Sequence, residues 1–167
     1  MKDFSKKGFQ ISKSPTEVKL AYTGFLIFAF LGYFTIALLG FLRVGPGPQA
    51  IVEHYRGSDN EDKFERPVGQ MLEEAHFHAF IEGVVLLILT HLIVATSLSR
   101  NMKVTVILLA YGFTLVDLAS PWLVKYVSGG FAYLQMTAWF AMLGTAIVMI
   151  GVPINEMWFS GAKDKKV

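Results

Sequence analysis

Ionisable side chains inside an apolar run are the first sign of chemistry in this sequence. Residues 73–91 begin Glu73-Glu74-Ala75-His76-Phe77-His78, continue to Glu82 and end on His91, in a stretch that is otherwise largely apolar. A fourth histidine, His54, lies upstream. Charged groups cost ~2.5–3.5 kcal/mol each in a membrane helix, so residues of this kind point to function. At ~100° per residue, Glu74, His78 and Glu82 form one helical stripe. Glu73, His76, Gly83 and His91 lie roughly on another. The interval from His76 to His91 corresponds to ~22 Å along a helix.

Two chemistries fit these stripes. Side chains at i and i+4 converge, so Glu74, His78 and Glu82 suit a non-haem transition metal near the outer face, joined by Asp117 from the next apolar run. His76 and His91 are further candidate metal ligands. Pro121 removes the amide that would bond to the Asp117 carbonyl, so Asp117 offers a carboxylate and a freed backbone oxygen. The same acids and histidines would also satisfy one another between packed helices, with no metal. The second chemistry is haem b. His76 and His91, one toward each membrane surface, suit two stacked haems, and Gly83 between them lets a flat macrocycle approach. No other apolar run holds a histidine, so the second axial ligand falls to Met142 or Met149, or to a histidine from a second copy in a homodimer. Met142 and Met149 recur with Gln135 at steps of seven and share a face. His91 is expected about eight residues, ~12 Å, from the inner end of its helix, where a buried imidazole needs a partner for both nitrogens.

The elements that must position these groups are four apolar runs, at about 20–42, 75–98, 104–126 and 131–154, each near the ~20 residues that cross the hydrocarbon core. They predict an all-α membrane protein, a four-transmembrane-helix bundle forming a single membrane domain over residues 1–167, with an outer loop at 43–74. Only 17% of the chain is charged, against about 25% in soluble domains, which agrees. Lysine and arginine set the orientation. Lys2, Lys6, Lys7, Lys13 and Lys19, then Arg100 and Lys103, then Lys163, Lys165 and Lys166 all fall on one side of a four-span chain. That side is predicted to be cytoplasmic, with both ends inside, in a bacterial inner membrane. The N-terminal run is too long for a secretory signal and is read as retained. In the outer loop, Gly45-Pro46-Gly47-Pro48 stops the first helix, Pro48 to Arg56 predicts a short helix, and Gly57 to Asn60 a turn. The absence of cysteine excludes disulfides, thiolate metal sites and covalently attached haem. The net charge of +2 gives no reason to expect nucleic acid.

The combination His76-Phe77-His78, Thr90-His91-Leu92, Pro121-Trp122-Leu123 and Phe131-Ala132-Tyr133, with Tyr55-Arg56-Gly57, resembles a small four-helix bacterial membrane protein family. That family is associated with respiratory electron transport and is similar in kind to b-type cytochromes. The resemblance implies a haem-binding electron-transfer protein in the bilayer, alone, as a homodimer or in a larger respiratory complex, with quinone as a partner. Histidine is confined to one span, which departs from four-helix cytochrome b patterns, so no ligand set carries over. No nucleophile–base pair, phosphate loop or zincin helix supports a stand-alone enzyme. A relay through Glu82, Asp117, His78 and His91, or a non-catalytic accessory subunit, are the remaining expectations.

Overall fold

The computed structural model describes residues 10–58 and 63–160. Lys2, Lys6, Lys7, Lys163, Lys165 and Lys166, and the far part of the Gly57–Asn60 turn, lie outside the described residues. The described chain forms a short 3₁₀ turn, Ile11–Lys13, and five α-helices: α1 Thr16–Arg43, α2 Pro48–Arg56, α3 Val68–Val94, α4 Arg100–Tyr126 and α5 Phe131–Trp158. Four of them, α1, α3, α4 and α5, are 27 or 28 residues long and apolar enough to cross a membrane. At 1.5 Å per residue each is ~40 Å long, enough for the hydrocarbon core and part of both headgroup layers. Their outward faces carry Phe28, Phe34, Phe80, Leu108, Leu115 and Phe140, all exposed, as lipid contact requires. This is a multi-pass membrane protein.

The bundle is organised around α5. It forms its broadest contact with α4, and α1, α3 and α2 also pack on it. Small residues permit this: Ala132, Ala138 and Ala146 of α5 are buried, so neighbouring backbones approach closely. Gln135, Met142 and Met149 do share the buried face of α5. Helix α3 rests on α4 and α5, while α1 makes its main contact with α5.

The short helix α2 forms over the predicted residues. Pro48 occupies the first turn, where a missing N–H costs nothing. Gly57 ends the helix at φ +79°, and a Cβ there would lie 2.6 Å from the Lys63 carbonyl oxygen, so only glycine fits. Ile51 and Tyr55, one turn apart, bury themselves with Met71, Val124 and Ala132. That fastens α2 across one end of α4 and α5.

Both ends of α3 differ from the expected 75–98. It starts at Val68, directly after Pro67, because nothing between them breaks a helix; the apolar run marks contact with lipid, not the extent of the helix. It stops at Val94 because polar groups capture the chain. Thr96 Oγ donates to the Ile93 carbonyl at 2.6 Å. The buried carboxylate of Glu156 accepts from the Ser97 amide at 2.7 and 2.9 Å and from the Ser97 hydroxyl at 2.6 Å. Ile11, fully buried, adds its amide to the Ala95 carbonyl at 3.1 Å. Lys19 reaches the Met157 carbonyl at 2.8 Å. These bonds draw the N-terminal turn, the α3–α4 connection and the end of α5 into one cluster at the tail end of the bundle.

Candidate functional site

The stripe on α3 divides in two. His78 Nδ1 bonds Glu82 Oε1 at 3.2 Å, the i, i+4 contact that the spacing predicts. Glu82 is only 4% exposed, and its second oxygen has no hydrogen-bond partner among the described residues. Asp117 of α4 lies close enough to both groups to interact electrostatically, and Trp139 of α5 lies beside it. Tyr33 of α1 lies within electrostatic range of Glu82 from the other side. Thus His78 and Glu82 are in contact, and Asp117 lies within electrostatic range of both. Glu74 does not join them: it turns out to Arg66 and stays half exposed. The backbone oxygen that Pro121 frees is taken by the Ser120 hydroxyl at 3.1 Å. Among the described residues, no group of three or more histidine and carboxylate side chains is placed to hold a metal ion.

His76, Gly83 and His91 all lie on the exposed face of α3, away from this cluster. The depth expected for His91 is corrected: with α3 ending at Val94, His91 sits in its last turn and is exposed. Leu86, Leu89, Leu92 and Ile93 take the core face, which turns His91 outward. Its Nδ1 donates to the Leu87 carbonyl at 2.7 Å, leaving Nε2 free. Met149 is buried in the core and Met142 faces a different space, so neither shares a cavity with His91.

That space is a cavity of about 450 Å³ at the α2 end. Ile36, Gly40 and Arg43 of α1, with Gly45 just beyond it, form one wall and Met71, Glu74 and His78 of α3 the opposite one. Asp117 and Trp122 of α4, with Gln135, Trp139 and Met142 of α5, form the back. Helix α2 covers the end with Ile51, His54 and Tyr55. The Gln135 amide donates to the Tyr55 hydroxyl at 3.1 Å, while Gln135 Oε1 and Asp117 Oδ1 have no hydrogen-bond partner among the described residues. Burial pushes the Tyr55 hydroxyl above its ordinary range, so it stays protonated.

Arg66 ties this lid down. Its guanidinium bonds His54 Nε2 and Glu74, its amide donates to the Tyr55 carbonyl at 3.2 Å, and its carbonyl accepts from Lys125. Arg56 adds a bond of 2.6 Å to the Val124 carbonyl, near the end of α4. Burial, and then the Arg66 charge, hold His54 down at about 4. Sequence reasoning missed Tyr55, Arg66, Gln135 and Trp139 as site residues. The i, i+4 pair Ile51 and Tyr55 on an amphipathic helix was the signal available for Tyr55.

A model of the Aq_1264_TM family, described as a transmembrane helical domain, matches residues 45–165. The match takes in α2, α3, α4 and α5, well over half of the chain. The chain belongs to this family. The matched part of this Aq_1264_TM protein holds His54, Tyr55, Arg66, His78, Asp117 and Gln135, and α1 supplies the remaining wall, Arg43 included. No curated protein and no solved structure matches the chain.

Proposed function

We propose that this protein binds a lipid-soluble small molecule in the cavity beneath α2, and that His78, Glu82 and Asp117 exchange protons with it. The observation that carries this reading is a 450 Å³ space with aromatic and apolar walls and two unpartnered polar oxygens at its back. Ligand sites of ~300–1,000 Å³ have this make-up, mostly apolar with a few convergent polar groups. The sequence resemblance supports a place in respiratory electron transport, with a quinone-class partner. Lysine and arginine placement supports an N-in, C-in orientation in a bacterial inner membrane, which puts α2 and the cavity mouth on the outer side.

The test is what the protein carries out of the membrane. Purified wild type, denatured and extracted, is expected to release a lipid-soluble small molecule that Met136→Trp does not. Met136 is half buried at the cavity wall, so tryptophan there fills the space. An unchanged melting temperature shows that the variant is folded. An identical extract from both proteins removes the proposal.

Haem b is a second reading, favoured by one observation. The His91 Nδ1–H is tied to a backbone carbonyl, which leaves the Nε2 lone pair facing outward as in a metal-ligating histidine. His76 and Gly83 share that exposed face, so a second copy of the chain would supply the other axial ligand. A Soret band that His91→Ala abolishes is the expected result. Colourless protein from cells with ample haem ends this reading.

A further inference from the structure

We infer that the molecule this cavity takes carries hydroxyl groups on an aromatic ring, as a quinol does, and that it is bound in preference to its carbonyl form. The inference rests on the ligand reading above and comes from the hydrogen-bonding capacity left over at the polar end. Gln135 is 2% exposed and lines the cavity. Its amide nitrogen is engaged with Tyr55, and its oxygen has no hydrogen-bond partner among the described residues. Asp117 lines the same back wall, and its Oδ1 is likewise unpartnered. Both free atoms are acceptors. The Tyr55 hydroxyl already accepts from Gln135 and still has its own hydrogen to give. Two acceptors and one donor are therefore left over on residues that line this end of the cavity.

A carbonyl oxygen only accepts. It would take the Tyr55 hydrogen and leave the Gln135 and Asp117 oxygens buried and empty. An ether oxygen has the same defect. A hydroxyl does both: it donates to one of the two oxygens and accepts from Tyr55. An ammonium group would also fill the acceptors, but it only donates and so leaves the Tyr55 hydrogen without an acceptor. Trp122, Trp139 and Phe140 supply faces for a flat ring. The cavity is bounded by α1 on one side and α3 on the other, two helices whose main contacts are made elsewhere, so a ring with an apolar tail would enter between them.

The experiment compares three probes of one shape on the detergent-solubilised full chain, by calorimetry under argon. They are tetramethylhydroquinone, its dimethyl ether and tetramethylbenzoquinone. The hydroquinone is expected to bind about tenfold more tightly than the other two, the usual effect of leaving a buried polar group unpaired. In Asp117→Leu/Gln135→Leu the three are expected to bind alike. Tyr55→Phe removes the hydroxyl donor and frees the Gln135 N–H that was bonded to it, so a donor stays beside the two acceptors and the order of the three probes should be kept. If the double variant does not fold, the wild-type comparison and Tyr55→Phe still decide. Quinone or ether binding as tightly as hydroquinone overturns this inference and leaves the cavity reading standing. Failure of all three to bind overturns the cavity reading and this inference with it.

Discussion

His78→Leu is expected to cost ~3–5 kcal/mol of stability, the usual result of stripping the partner from a buried charge. Glu82 is almost wholly enclosed, and His78 is the group that bonds its carboxylate. Asp117 makes the loss worse, because it brings a second carboxyl group to the same place. Removing the imidazole leaves two acids facing each other in a low-dielectric interior, where desolvation is expensive and like charges repel. His78→Leu/Glu82→Leu should then recover more than half of the loss, since it removes the stranded charge along with its partner. Glu82→Leu alone should be better tolerated than Glu82→Ala, which also leaves a void. Denaturation midpoints of the purified variants in detergent give the comparison. A double variant less stable than His78→Leu would mean that the pair serves chiefly as packing volume, and the charge argument would fail.

The parts of this site that could be read from the sequence are those set by local geometry. His78 and Glu82 are one turn apart, so their contact follows from the helix itself. Gln135, Met142 and Met149 recur at seven, and all three are buried. Helix α2 could be placed because proline and glycine bracket it. Other features depend on groups remote in sequence. Arg66 pulls Glu74 out of its stripe, a choice between two ion pairs that spacing does not decide. The end of α3 is fixed by Glu156, far along the chain, and that contact moved His91 from the expected interior to the last turn. The cavity arises because α1 and α3 both lean on α5, and no single helix encodes that arrangement. Its polar groups come from every helix and from the α2–α3 connection, which explains why Tyr55 and Gln135 looked unremarkable as separate positions.

Acidification is expected to loosen α2 before it unfolds the bundle. His54 is held neutral, at about 4 against an ordinary 6.5, because burial and the adjacent Arg66 both oppose a charge there. In the docked state its Nε2 accepts from Arg66, which only an unprotonated nitrogen can do. Once α2 lifts away, His54 meets water and regains its ordinary affinity for protons. Below pH 6.5 the undocked state therefore binds a proton that the docked state does not, and docking weakens as pH falls. The loss is complete near pH 4 and reaches at most about 3 kcal/mol, since solvent screens part of the effect at this half-buried group. Between pH 7 and pH 5 the expected change is at most roughly twentyfold in the docking equilibrium. Hydrogen exchange of the α2 amides, corrected for intrinsic rates, reads it directly, while amides in the middle of α4 and α5 should keep their protection. Glutamine offers Arg66 an acceptor without titrating, so His54→Gln should hold α2 in place across this range. If the variant loses protection as the wild type does, His54 is not the sensor. Because α2 covers the cavity through Ile51, His54 and Tyr55, its release would also open the site toward the acidified side and take Tyr55 away from Gln135. Loss of α2 protection and loss of ligand should then share one midpoint in wild type and separate from pH together in His54→Gln.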